Sequence, residues 1–277
     1  MAFETVAVLG PGLLGGSVGL AVKERGLGEV RFWGRSEEKL LAVREAGFFA
    51  SVNLKEVLEG VELVILATPV EFYPGLAQQL VAAGGDYVVT DVGSVKGAVA
   101  EGAGRLLAEA GIEFVGSHPM AGSEQGGFGA AKADLFAGAC CFLCPEEGNL
   151  RAGEVQGFWE SLGCQVTSIP AREHDQVVAR ISHLPHILAA VGARVALRND
   201  GEGDCGGGGL VDTTRVAAGN PAMWTGILLG NREAVLAEIA QASRDLEILR
   251  EHLADSDESG LQHWLSEAKV LRDRLNR

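Results

Sequence analysis

Thr5-Val6-Ala7-Val8-Leu9-Gly10-Pro11-Gly12-Leu13-Leu14-Gly15-Gly16-Ser17 is the stretch on which the fold turns. It begins as a short, β-rich apolar run, and the glycines follow at once and open a helix-like segment. Gly10, Gly12 and Gly15 hold the spacing of a dinucleotide fingerprint. Gly10 makes the tight turn, Gly12 lets the backbone approach a pyrophosphate, and Gly15 lets the helix pack close to the strand. The pyrophosphate then sits at the positive end of the helix, beside its first residues, Leu13 and Leu14. Such a turn is weak evidence when it stands alone, since many glycine turns have no chemical consequence. Here strand, turn, helix and second strand follow in register, which favours the binding role.

Outward from that stretch the alternation continues. β-rich runs at 5–9, 30–33, 63–67, 87–90 and 113–115 are separated by helix-like stretches, and two more candidates follow at 139–143 and 165–169. Strands spaced by helices specify a mainly parallel, doubly wound sheet of the α/β class. After Pro170 the strand signals almost vanish. A helical stretch runs from 171 to 198 with Pro185 inside it, where a kink or a junction is expected. The segment 200–209, rich in Gly and acidic residues, reads as a mobile loop. Val235, Ile239, Ala242, Leu246, Leu249 and Leu253 recur at helical spacing, and so do Leu261, Trp264, Leu265, Ala268, Leu271 and Leu275. The expectation is an N-terminal Rossmann-type dinucleotide-binding domain over 1–169 and a C-terminal all-α domain over 170–277. The apolar stripes of the second domain call for cover, from the first domain and from a second subunit.

Composition narrows the function. The 277 residues carry 23 Lys and Arg against 37 Asp and Glu, a formal net charge of −14. That balance argues against nucleic acid or an anionic membrane as the main partner. An anionic cofactor or substrate must then be held by helix N-termini, backbone amides and a few placed arginines. No basic segment with an apolar stretch precedes the first strand, and every apolar run is interrupted short of a membrane span. A cytoplasmic protein is expected. Of the five cysteines, Cys140, Cys141 and Cys144 crowd one apolar run. Cys141 and Cys144 have the spacing of a redox or metal pair, but no second pair lies nearby, and reduced thiols packed as small hydrophobes are expected.

Polar chemistry gathers at the strand ends. Beyond the second strand the chain reads Phe32-Trp33-Gly34-Arg35-Ser36, where an NAD enzyme usually carries an acid for the ribose 2′-hydroxyl. Arg35 can instead pair with a 2′-phosphate through its fork of donors. Ser36 can add a hydroxyl and cap the helix that Glu37 and Glu38 begin. NADP is therefore favoured over NAD, the alternative being a solvated Arg35. Thr68 and Pro69 end the next central strand and flank the ribose, unless they form only a strand-to-helix turn. Asp91-Val92-Gly93-Ser94-Val95-Lys96-Gly97 and Gly116-Ser117-His118-Pro119-Met120-Ala121-Gly122-Ser123-Glu124 follow the fourth and fifth of these strands. His118, with Gly-rich polar flanks, is a candidate base, although a lone histidine is more often structural. His183 and His186 lie three apart around Pro185; without Cys or carboxylate at ligand spacing, no metal is expected there.

The glycine fingerprint, the Asp91–Lys96 and Ser117–Glu124 segments, Ser182-His183-Leu184-Pro185-His186 and Asp212-Thr213-Thr214-Arg215-Val216-Ala217, with Pro221 and Trp224, together resemble one family. It is the prephenate and arogenate (cyclohexadienyl) dehydrogenases of tyrosine biosynthesis. The motifs span nearly the whole chain in the family's order. The resemblance implies a Rossmann-type domain followed by a helical dimerisation domain, hence a homodimer. It also implies a small anionic substrate, with oxidative decarboxylation of prephenate, arogenate or both and hydride transfer to NAD(P)+. In that chemistry His118 accepts the ring-hydroxyl proton, and Ser94 hydrogen-bonds the hydroxyl and the histidine. A plain helix cap near Val95 is the competing account of Ser94. Arg215 matches the family's carboxylate-binding arginine. His186, His183, Ser123 and Trp224 match substrate-pocket positions, Trp224 being equally explicable as a core aromatic. No regulatory domain is expected beyond Arg277, so any feedback by tyrosine is expected at the active site itself.

Two other readings stay open. Another two-domain NAD(P)-dependent hydroxyacid or imine oxidoreductase would usually place a catalytic lysine in the helical domain, whereas the candidate base here is His118 in the first. A non-catalytic NADP-sensing protein would dispense with His118 and Ser94, and both are present.

Overall fold

The N-terminal apolar run is strand β1, Thr5–Leu9, and it lies in the interior of an eight-stranded sheet. The structure, a computed structural model, describes residues 3–123 and 125–275; Glu124, the end of the Ser117 motif, lies outside the described residues. Two compact units divide the chain, Met1–Asn231 and Arg232–Arg277.

In the first unit the further strands are β2 (Glu29–Trp33), β3 (Phe49–Ser51), β4 (Leu63–Leu66), β5 (Val88–Asp91), β6 (Phe114–Pro119), β7 (Cys140–Cys144) and β8 (Gln165–Ser168). Their order across the sheet is β3-β2-β1-β4-β5-β6-β7-β8. The pairs from β3 to β6 are all parallel, β7 runs antiparallel to β6, and β8 runs parallel to β7. Apolar residues occupy both faces of the central strands because helices cover both faces. Val6 and Val8 enter one core with Val18, Phe32 and Ile65, while Ala7 and Leu9 enter the other with Leu66, Tyr73 and Leu80. The strand order reverses between β1 and β4, which opens a ligand crevice at their carboxyl ends.

Three local features differ from the sequence expectation. β3 is an additional short strand at the sheet edge, paired with β2 from Arg31↔Phe49 to Trp33↔Ser51. β6 is longer than expected and takes in Ser117, His118 and Pro119, because it changes partner along its length. Phe114 and Val115 pair with β5, whereas Gly116 to Pro119 pair with β7. The expected loop at 200–209 is partly ordered: Glu202–Cys205 forms a 3₁₀ turn, and Gly208 and Gly209 open the helix Gly208–Thr214.

The kink expected near Pro185 is a π-helical turn, Ala179–His183, set between the α-helices Ala171–Val178 and Leu184–Ala196. Pro185 has no N–H for the regular helical bond, and the wider turn accommodates that loss. The helix Pro221–Gly230 completes the unit, with Asn220 capping Met223 N at 3.1 Å.

The second unit is a helical hairpin, Arg232–Ala254 and Glu258–Asp273. Asp257 caps the second helix, accepting from Gly260 N at 3.0 Å. Leu236, Leu246, Leu253, Leu265 and Leu271 are exposed on the pair. No helix among the described residues is long and apolar enough to cross a membrane. None of the five cysteines is in a disulfide, and Cys141, Cys144 and Cys164 are buried.

Candidate active site

Gly10 follows β1 with φ +118°, and a Cβ there would lie 2.7 Å from the carbonyl carbon and oxygen of Ala67. Only glycine fits a turn pressed this closely against the end of β4. At Gly15 a Cβ would lie 2.1 Å from the Gly10 carbonyl oxygen and 2.9 Å from Val8 Cγ1, so the helix Leu13–Glu24 packs directly on its strand. Gly12 is different: a Cβ there would meet nothing within 4 Å. Nothing inside the protein demands glycine at that position, and the space before it suits a close-lying phosphate. The helix beginning at Leu13 and Leu14 has no side-chain cap and no acidic residue in its first turn, which leaves its end to an anion. These features fit a dinucleotide.

Arg35 is exposed just beyond β2, and its guanidinium carbon lies 4.1 Å from the ring centroid of Phe72, in the turn after β4. It is thus held over an aromatic face. Ser36 occupies the N-cap position of the helix Glu37–Glu45, but its side chain makes no cap bond, contrary to expectation; the first-turn carboxylates Glu37 and Glu38 complement the helix instead. Thr68 is half-buried and Pro69 exposed, at the mouth of the crevice.

A buried polar network fastens the ends of β5 and β6. Asp91 pairs with Lys96, both almost fully buried. Its carboxylate also accepts from Gly93 N at 2.9 Å and Ser117 N at 3.0 Å, and Ser117 Oγ accepts from Trp159 Nε1 at 2.9 Å. A charge pair buried this deeply is tolerable because the Asp91 carboxylate also holds these two backbone amides. Ser94 lies half-buried in the same loop. It does not cap the helix that follows, which starts at Gly97 without a side-chain cap bond from its N-cap residue. That service comes from Asp175, whose Oδ1 and Oδ2 accept from the Lys96 and Gly97 amides, each at 2.8 Å.

His118 is 7% exposed, near the end of β6. Its Nδ1 lies 2.8 Å from Nε2 of His174, whose Nδ1 lies 2.8 Å from Asp175 Oδ1. Burial, then the charges of His174, Lys96 and His183, push the His118 imidazole well below its ordinary value. Burial also lowers His174, outweighing the Asp175 carboxylate beside it. For Asp175, burial would raise the carboxyl, but the hydrogen bonds from His174, Lys96 and Gly97 prevail and hold it below the usual range.

His183 stands in the π turn, and burial depresses it to about 4. Asn231 Nδ2 donates to the Asp175 carbonyl at 2.7 Å and lies 3.2 Å from His183 Nδ1. The His186 ring stacks on Trp224 with centroids 3.5 Å apart and planes at 9°. His183 Nε2 and His186 Nδ1 are buried without a hydrogen-bond partner, and such groups call for a water or a ligand. The structure therefore brings His118, His183, His186 and Trp224 into one neighbourhood. A Cβ at Gly219 would lie 3.3 Å from His186 Cε1 and 2.5 Å from Trp224 Nε1, so the turn Arg215–Ala218, with exposed Arg215, ends beside that cluster. Ser123 is exposed and accepts from Gln125 N at 3.1 Å; no contact among the described residues links it to the histidines. His174, Asp175 and Asn231 were not singled out from sequence. No group of three or more His, Cys, Asp or Glu arranged to hold a metal occurs among the described residues.

A family model described as the prephenate dehydrogenase nucleotide-binding domain matches residues 18–168, and one described as the prephenate dehydrogenase dimerization domain matches residues 170–267. The prephenate dehydrogenase of Bacillus subtilis is 32% identical over 287 residues, covering 98% of this chain and 76% of its own. Among solved structures, the prephenate dehydrogenase of Aquifex aeolicus in complex with hydroxyphenyl propionate and NAD+ superposes with a TM-score of 0.90 at 28% identity, over 99% of this chain and 98% of that one. Synechocystis arogenate dehydrogenase gives a TM-score of 0.83 at 27% identity, over 98% and 99% of the two chains. Two family models in order along most of the chain, on a sheet that carries the dinucleotide turn, lead to one conclusion: this chain belongs to the prephenate dehydrogenase family of oxidoreductases.

Proposed function

We propose that the protein oxidatively decarboxylates prephenate, arogenate or both on the route to tyrosine, with hydride transfer to NAD(P)+ and a preference for NADP+. One observation carries this reading. His118 lies at the same carboxyl edge of the sheet as the Gly10–Gly15 turn, with one ring nitrogen committed to His174 and the other without a hydrogen bond among the described residues.

Bound at that turn, the nicotinamide cofactor supplies the hydride acceptor. His118 takes the proton of the ring hydroxyl as hydride leaves the carbon that bears it, and Ser94 hydrogen-bonds the same hydroxyl. The bond to the ring carboxylate breaks, CO2 departs, and its electron pair completes an aromatic ring. Aromatisation drives the reaction, so the protein's task is alignment. Arg215 pairs with a carboxylate of the anionic substrate. His183 and His186 offer their unpaired ring nitrogens to the substrate, and Trp224 and Ser123 shape the rest of the pocket.

On the cofactor side, Gly10, Gly12, Leu13, Leu14 and Gly15 hold the pyrophosphate, while Thr68 and Pro69 flank the ribose. Arg35 and Ser36 receive the 2′-phosphate. Support for NADP+ comes from the absence of an acid at the end of β2 and from Glu37, the nearest carboxylate in sequence, being paired with Arg44 at 2.8 Å. The working division is a dinucleotide-binding domain over 1–169 and a helical domain over 170–277 that pairs two copies into a homodimer and contributes substrate contacts. Cysteines outside any disulfide suit a reducing cytoplasm.

Purified protein incubated with prephenate or arogenate, each crossed with NAD+ and NADP+, tests the proposal. Reduced cofactor and CO2 are expected together, with NADP+ the better acceptor. No reduction in any of the four mixtures refutes the activity.

A further inference from the structure

The contact between His118 and His174 continues to Asp175, and the direction of each hydrogen bond follows from the carboxylate end. Asp175 accepts two backbone amides, from Lys96 and Gly97, at 2.8 Å each. A carboxylate so placed is ionised and only accepts. Nδ1 of His174, 2.8 Å from Oδ1, therefore carries a proton. His174 is fully buried and neutral, so its Nε2 presents a bare lone pair. Nδ1 of His118, 2.8 Å from that lone pair, must donate to it. The lone pair of a neutral His118 is then left on Nε2.

We propose that His174 and Asp175 are positioning residues that hold His118 in its Nδ1–H tautomer, keep Nε2 ready for the substrate's hydroxyl proton, and draw the resulting charge toward Asp175. The identity of that proton rests on the dehydrogenase reading; the tautomer does not. In the step, the proton leaves the substrate oxygen and bonds to Nε2. The Nδ1 proton can then pass to His174 Nε2, so that His118 is neutral again with its proton on Nε2, and His174 carries the charge beside the carboxylate. Lys96, Asp91 and His183 also face these rings. Lys96 is matched by Asp91, with which it pairs, which leaves Asp175 to balance an imidazolium.

Ring-nitrogen NMR of the substrate-free enzyme reads the tautomer directly. His118 should be protonated at Nδ1 and bare at Nε2, and His174→Leu, which removes the acceptor from His118 Nδ1, should loosen this preference. In turnover, Asp175→Asn and His174→Leu should lower kcat by about 10²- to 10⁴-fold with little change in KM. His174→Gln, whose amide oxygen can still accept from His118, should recover part of the loss. A wild-type His118 protonated on Nε2, or a folded His174→Leu enzyme with kcat within about threefold of wild type, overturns the proposal. Wild-type protein that shows the stated tautomer yet turns over neither substrate supports the positioning role and instead strikes the assigned reaction.

Discussion

His118→Asn preserves the approximate shape of the ring and removes its basicity. Substrate affinity should stay near normal while turnover falls by roughly 10² to 10⁴; steady-state kinetics with unchanged kcat would remove His118 from its assigned role. Arg35→Asp should move the ratio of kcat/KM values from NADP+ toward NAD+, as an acid replaces a guanidinium near the 2′ position. An unmoved ratio would make Arg35 only a partner of Phe72. Residues differ in how far they could be read in advance. His118 was legible because it follows an apolar run and has Gly-rich polar flanks. His174 and Asp175 were not, because their meaning lies in a contact spanning 56 residues, and a His-Asp pair near the start of a helix has many ordinary explanations. The Ser36 hydroxyl shows the reverse: a residue type suited to capping stands at the right position and makes no cap bond.

At the scale of elements, the three fingerprint glycines serve two different masters. Gly10→Ala meets both a positive φ and the Ala67 backbone at 2.7 Å, and should destabilise the fold by about 1–3 kcal/mol. Gly12→Ala meets no protein atom within 4 Å. It should melt within about 0.5 kcal/mol of wild type yet bind cofactor about tenfold or more weakly. Melting curves paired with cofactor titrations separate the two, and a Gly12→Ala protein with normal affinity would empty the crevice of its proposed role. The central strands were plain in sequence, since Val64-Ile65-Leu66 and its neighbours are apolar on both faces. β3 was not, with one fully covered residue among three. The far half of β6 was hidden for another reason: Gly116-Ser117-His118-Pro119 has a loop-like composition and becomes a strand only because β7 supplies the hydrogen bonds.

For the whole molecule, acid is the informative variable. His118, His174, His183 and His186 are all held below the ordinary imidazole value of 6.5. An unfolded chain binds protons at these rings near that value, and the native chain binds them only at lower pH. Stability is therefore complete above pH 6.5 and is lost as pH falls from there toward the native values. His183, depressed from 6.5 to about 4, alone accounts for up to about 3 kcal/mol of the loss. Thermal melts should show a Tm that declines from pH 6.5 to 4; a constant Tm over that interval would contradict the buried, neutral state of these rings. The alternation of strands and helices disclosed the large-scale architecture, but not the reversal of β7 and β8 at the sheet's far side. That reversal has a mechanical consequence. The chain leaves β8 at the level of Leu143, which pairs with Ser117 across β7, and the helix Ala171–Val178 then lays His174 against Phe142 and His118, although it belongs to a later part of the sequence. Dislodging that segment by even a helical turn would disarm the imidazole without touching it, so seating and reactivity are a single event.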